Sequence, residues 1–161
     1  MSIENVKAYL AQWGREKDVL EFPVSSATVD LAAAALEVIP ARIAKTLTFQ
    51  QGESCLLVVA AGDARIDNKK FKAAFGIKPK MLDPETALEQ TGHAVGGICP
   101  FGLKESLPVY LDVSLKRFQT VFPACGSSNS AIRLTLDELF QYSAARDWVD
   151  IGKDWDETLN E

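Results

Sequence analysis

The 161-residue sequence lacks the markers that sort many enzymes at once. It holds one histidine, so a Ser-His-Asp triad would have to use His93, and no G-x-S-x-G elbow presents a serine. No G-x-G-x-x-G or G-x-x-x-x-G-K-[ST] segment occurs, which removes support for dinucleotide and P-loop readings. The three cysteines, Cys55, Cys99 and Cys125, are odd in number, widely spaced and without a C-x-x-C pair. That pattern argues against structural zinc and against a disulfide framework, and no metal or cofactor is expected. No run of about 18 apolar residues occurs, and Met1-Ser2-Ile3-Glu4-Asn5 shows no basic segment leading into an apolar one. The expectation is a cytoplasmic protein with no membrane partner.

What is present fits one domain over residues 1–161: 47% hydrophobic and 24% charged residues, enough for a real core. The net charge of −5 is concentrated, because residues 147–161 carry six acids against Lys153 while the other 146 residues balance. Within that neutral body, residues 67–80 hold Lys69, Lys70, Lys72, Lys78 and Lys80 against one acid. Such a patch can face an anion, and a lysine run equally serves solubility. Trp148, Val149 and Ile151 should pack on the body, with residues 154–161 fraying.

Periodicity and capping signals predict an α+β domain rather than a doubly wound sheet. Ser2 can cap a helix that ends at Gly14. Ser26 or Thr28 caps a second, closed by Pro40, and Asp67 opens a third that ends at Gly76. Asp83-Pro84-Glu85 opens a fourth that ends at Gly92, and the last covers residues 135–144. Strands are predicted at residues 19–23, 42–49, 54–60, 94–98, 107–112, 120–124 and 131–134, with Gln50-Gln51-Gly52-Glu53 as a hairpin turn. His93 reads as a surface residue in a turn.

Against this background one residue stands out. Lys45 interrupts the strand-like run Ile43-Ala44-Lys45-Thr46-Leu47, and a lysine is expensive to bury unless something uses its charge. The turn Gly96-Gly97-Ile98-Cys99-Pro100-Phe101-Gly102 and the small-residue segment Cys125-Gly126-Ser127-Ser128-Asn129-Ser130 could bring backbone N–H groups close to an anion or a developing oxyanion. Both also read as simple tight turns. Neither Cys99 nor Cys125 has an evident base beside it, so both read as small buried residues.

These segments, with Thr28-Val29-Asp30-Leu31-Ala32-Ala33, Ala61-Gly62-Asp63 and Val109-Tyr110-Leu111-Asp112, resemble the YbaK and prolyl-tRNA synthetase-associated editing domains. That family hydrolyses mischarged aminoacyl-tRNA, and the likeness spans about residues 25–145. The resemblance implies a mixed, partly barrel-like sheet with surrounding helices. It further implies that Lys45 is the functional lysine. Thr46, Gly96, Gly97, Ile98, Cys99 and Pro100 would form the first substrate loop and its strand, and Gly126, Ser127 and Ser130 the second. At Cys99 the family is expected to carry a small residue, often serine.

The implied partners are the acceptor end of a mischarged tRNA, held weakly by the lysine patch, and prolyl-tRNA synthetase, with no role for DNA. An aminoacyl ester is already activated, so orientation, water or a substrate hydroxyl, and oxyanion stabilisation suffice. The implied activity is that of a free-standing trans-editing deacylase for tRNA(Pro) carrying a small amino acid such as alanine or cysteine. The alternative is a non-catalytic aminoacyl- or nucleotide-binding module that regulates a synthetase.

Overall fold

The computed structural model describes residues 2–160. Helix α1 (Ser2–Leu10) buries Val6 and Leu10 and tightens into a 3-10 turn, Ala11–Trp13, that stops at Gly14 with φ +69°. Strand β1 (Leu20–Glu21) leads to α2 (Val29–Leu36), where Thr28 accepts the Leu31 amide at 3.2 Å. Helix α2 ends at Glu37 in a left-handed conformation, and Pro40 instead opens a 3-10 turn, Pro40–Arg42. Proline at a first helical position loses no hydrogen bond, so this is its favoured place.

Strands β2 (Ile43–Gln51) and β3 (Ser54–Ala61) form an antiparallel hairpin paired out to Gln51 and Ser54. Gln50 and Gln51 therefore belong to the ladder, leaving Gly52 and Glu53 as a two-residue turn, with Gly52 at φ +60°. After β4 (Arg65–Ile66), α3 (Asn68–Phe75) is capped by Asp67, and α4 (Pro84–Thr91) by Asp83. Both helices close on glycines with positive φ, Gly76 and Gly92, as their sequences predict.

The second half supplies β5 (Val109–Asp112), β6 (Thr120–Pro123), β7 (Ser130–Ala131), β8 (Leu134–Thr135), α5 (Leu136–Tyr142), β9 (Asp147–Val149) and β10 (Gly152–Lys153). The main sheet runs β8-β6-β2-β3-β5-β9 and is mixed, since β2 is antiparallel to β3 but parallel to β6. It curls into a half-barrel, and the helices pack around it.

Residues 55–61 of β3 are buried throughout, which fits its central position between β2 and β5. Leu57, Val59 and Ala61 join the main core with Val6, Leu10, Leu111 and Leu139. Leu56 and Val58 alternate to the opposite face, where Phe49, Phe71 and Ile151 form a second core. There the rings of Phe49 and Phe71 stand 4.6 Å apart, so α3 is fixed against the strand that carries Lys45.

Four further expectations change. Residues 94–98 are turns rather than a strand, since Gly96 sits at φ +96°. The predicted strand at 131–134 splits, with β7 pairing to β1 and β8 to β6. His93 is wholly buried: its Nε2 lies 2.7 Å from the Phe101 carbonyl, and its Nδ1 meets the hydroxyl of Ser2, which lies within α1. Two polar partners offset the cost of burying the ring. Finally, within the segment expected to fray Trp155 lies against Arg117 and the Asp156 carbonyl accepts from it, while Glu161 lies outside the described residues. Strand β9 extends the sheet beside β5, β10 pairs with β4, and Leu159 packs against the main core.

Candidate active site

A cavity of about 250 Å³ opens where the start of β2 meets the α2 entry and two loops. Ile43, Lys45, Thr46 and Leu47 form one wall, and Ala27, Thr28 and Ala32 of the α2 segment form another. Gly96 and Ile98 come from the first glycine loop; Ala124, Ser130 and Ala131 come from the second. The lining is largely apolar, with hydroxyls interspersed.

Lys45 is half-buried, and its ammonium donates to the carbonyls of Gly62, at 3.2 Å, and Ala64. Burial pulls its pKa below the usual 10.5; Asp63 opposes this, Arg65 reinforces it, and Asp112 opposes it. The receiving turn is tightly packed, because a Cβ on Gly62 would fall 2.2 Å from the Pro40 carbonyl oxygen and 2.6 Å from Val29 Cγ1. Only glycine lets the turn approach that closely. An ammonium has three donors, so the two carbonyls leave one for a ligand in the cavity that Lys45 lines.

Beside it, the Thr46 hydroxyl is buried with no hydrogen-bond partner among the described residues. A buried unpaired hydroxyl costs about 1–3 kcal/mol, a penalty that a bound polar group would relieve.

The remaining predicted site residues divide into two groups. Gly96, Ile98 and Ser130 line the cavity with Lys45 and Thr46. Gly97, Cys99, Pro100, Gly126 and Ser127 are not among the residues that line it. A Cβ on Gly97 would lie 2.6 Å from the Ser127 amide nitrogen, so the two loops touch backbone to backbone there. Gly126, at φ +90°, packs against Ser2, and the Ser127 hydroxyl bonds Ser130 Oγ at 2.7 Å.

Cys99 is fully buried, 3.6 Å from His93 Nε2, and burial pushes its thiol up to about 12. Cys125 is likewise buried and raised well above the usual range, so at neutral pH neither thiol supplies a thiolate.

None of the five patch lysines lines the cavity. Lys69, Lys70 and Lys72 lie on α3, and Lys70 is held by Asp150 at 3.1 Å and the Gly152 carbonyl at 3.0 Å. Sequence reasoning missed Met81, Leu82 and Val95, which line the cavity, Met81 and Val95 being largely exposed. Leu82 reaches this position because its amide bonds the Thr48 carbonyl, a long-range pairing with no local sequence signal. Thr28, singled out only as a cap, also lines the cavity.

The cavity, with Lys45 at its wall between two glycine-bearing loops, sits on the curled mixed sheet. The chain belongs to the aminoacyl-tRNA editing domain family, whose model matches residues 24–142. It is 57% identical over 157 residues to "Uncharacterized protein YwhH" of Bacillus subtilis (strain 168), covering 97% of this chain and 100% of that one. It is 32% identical over 81 residues to a proline–tRNA ligase of Moorella thermoacetica, covering 50% of this chain but only 14% of the ligase. Among solved structures, a crystal structure of "a putative trans-editing enzyme for prolyl tRNA synthetase" superposes with a TM-score of 0.85 at 31% identity, covering 94% of this chain and 97% of that one.

Proposed function

We propose that this editing domain acts in trans as a hydrolase that cleaves the aminoacyl ester of mischarged tRNA, with tRNA(Pro) carrying alanine or cysteine as the substrate class. The observation that carries this reading is the Lys45 ammonium, fixed by two carbonyls at the cavity wall with one N–H to give.

Held this way, Lys45 acts as a charge. Burial lowers its pKa, but two carbonyl acceptors and the nearby Asp63 charge favour the ammonium, so its work is electrostatic rather than proton abstraction. Lys45 meets the ester or the terminal phosphate, and the backbone at Gly96 orients the carbonyl. The attacking oxygen comes from water or from the neighbouring ribose hydroxyl, so the protein need supply only position and electrostatic stabilisation.

Selection is steric. The bulky side chains of Ile43, Leu47, Leu82 and Phe122 limit the space in the cavity, so a small aminoacyl group enters while a larger one is refused. A separate sieve is useful because binding alone separates one methylene by only about 1–3 kcal/mol. Lys69, Lys72, Lys78 and Lys80 give weak, salt-sensitive attraction to the tRNA body in the cytoplasm. The test is a panel of tRNA(Pro) charged with alanine, cysteine, serine or proline. Cleavage of the small esters with sparing of the prolyl ester supports the reading; binding without cleavage of any ester would make the protein a recognition module instead.

A further inference from the structure

Behind the Lys45 turn lies a partly buried ion pair that the cavity does not explain. The Arg117 side chain is 5% exposed, and its guanidinium grips Asp63 with two bonds, Nη2 to Oδ1 at 2.6 Å and Nη1 to Oδ2 at 2.9 Å. Its Nε donates to the Ser114 carbonyl at 2.8 Å, and Nη1 also reaches the Asp156 carbonyl at 3.0 Å. The guanidinium carbon sits 5.0 Å from the Phe118 ring and 4.7 Å from the Trp155 ring. A partly buried pair of this kind is weak evidence of stabilisation, because desolvation consumes much of the Coulomb gain. What it does accomplish is orientation. Asp63 lies between Gly62 and Ala64, whose carbonyls take the Lys45 ammonium.

We infer that Asp63 and Arg117 are positioning residues for Lys45, and that the C-terminal segment at Trp155 and Asp156 belongs to the same device. The inference deepens the proposed function and rests on it for its kinetic consequence. The path is continuous: Trp155 and the Asp156 carbonyl hold Arg117, Arg117 holds Asp63, and the turn around Asp63 presents the two acceptors that aim Lys45. Freed from Arg117, the turn would let the ammonium swing within the cavity, and a displacement near 1 Å in a positioned catalytic group costs about 100-fold. Asp63 also contributes its charge. The groups acting on Lys45 are Asp63, Arg65 and Asp112, and Asp112 is already engaged by the amides of Ser114 and Ile151 at 3.0 and 2.8 Å.

The experiment compares wild type with Arg117→Lys, Asp63→Asn and Trp155→Leu, each first checked for cooperative melting. Arg117→Lys keeps the charge but loses the fork, so kcat should fall about 10- to 100-fold with KM changed less than about threefold. Trp155→Leu, which leaves every charge in place, should lower kcat in the same sense by a smaller factor. Independently of substrate, the Nζ resonance of Lys45, assigned with Lys45→Met, should titrate at lower pH in Asp63→Asn than in wild type. Wild-type kcat in folded Arg117→Lys together with an unmoved Lys45 titration in Asp63→Asn would overturn the inference. If Lys45→Ala itself deacylates normally, the proposed function fails, whereas a Lys45 resonance that moves in Trp155→Leu and Arg117→Lys, where every charge is kept, would still uphold the positioning.

Discussion

Replacing Gly97 with alanine tests the construction of the site without touching any group that meets substrate. The added Cβ would stand 2.6 Å from the Ser127 amide nitrogen, 2.7 Å from the Gly126 carbonyl carbon and 2.9 Å from that of Ser127. All three neighbours are backbone atoms, so no rotamer change can relieve the contact. Ordinary contact begins at 3.4 Å, and the loops must therefore part by roughly 0.8 Å. Overpacking of this kind costs about 1–3 kcal/mol, which lowers Tm by about 2–12 °C for a chain of this length.

The two loops also carry Gly96 and Ser130 into the cavity, so the same displacement should reduce deacylation by up to about 100-fold. Gly52→Ala serves as the comparison: Gly52 has φ +60° but no atom within 4 Å of the new Cβ. It should lose about 1 kcal/mol from backbone conformation alone and keep full activity. Circular-dichroism melts and single-turnover deacylation read both variants. A Gly97→Ala protein that melts within about 1 °C of wild type and turns over normally would refute the account of loop packing.

Two further outcomes follow from buried titratable groups. Burial holds His93 below its usual 6.5, with the Phe101 carbonyl partly opposing, so the unfolded chain takes up the proton first as pH falls. Stability should therefore be unaffected by His93 above about pH 7 and decline through the window below about 6.5, a decline that His93→Gln should lack; parallel Tm–pH curves for the two proteins would contradict this. With Cys55, Cys99 and Cys125 all buried, an alkylating reagent at neutral pH should leave the native protein unlabelled and active, and rapid labelling with loss of activity would restore a nucleophilic cysteine to consideration.

The local chemistry of the chain was largely readable from sequence. Thr28, Asp67 and Asp83 cap the helices assigned to them, and Gly76 and Gly92 end theirs, because capping depends on residues within one turn. The apolar pattern places Lys45 on a strand and the family resemblance joins it to the glycine loops; the cavity brings it together with Thr46, Gly96, Ile98 and Ser130. Reading failed where the determinant lies far along the chain. His93 looks like a turn histidine until Ser2 and Phe101 are seen to satisfy it, and the charged tail looks free until Arg117 is found against Trp155 and Asp156. The family resemblance implies a substrate loop that includes Gly97 and Cys99; neither is among the residues lining the cavity. Cys99 is fully buried, and Gly97 lies against the Ser127 backbone, a contact that comes from the other loop and leaves no local signal.

The most direct measurement is the initial rate of alanine release from Ala-tRNA(Pro) by wild type and by Lys45→Ala side by side, corrected for uncatalysed ester hydrolysis. The account predicts catalysed release by wild type and a fall to the uncatalysed rate in a Lys45→Ala protein that still melts cooperatively. Near-wild-type release by folded Lys45→Ala would contradict the claim that this ammonium is the charge on which editing depends.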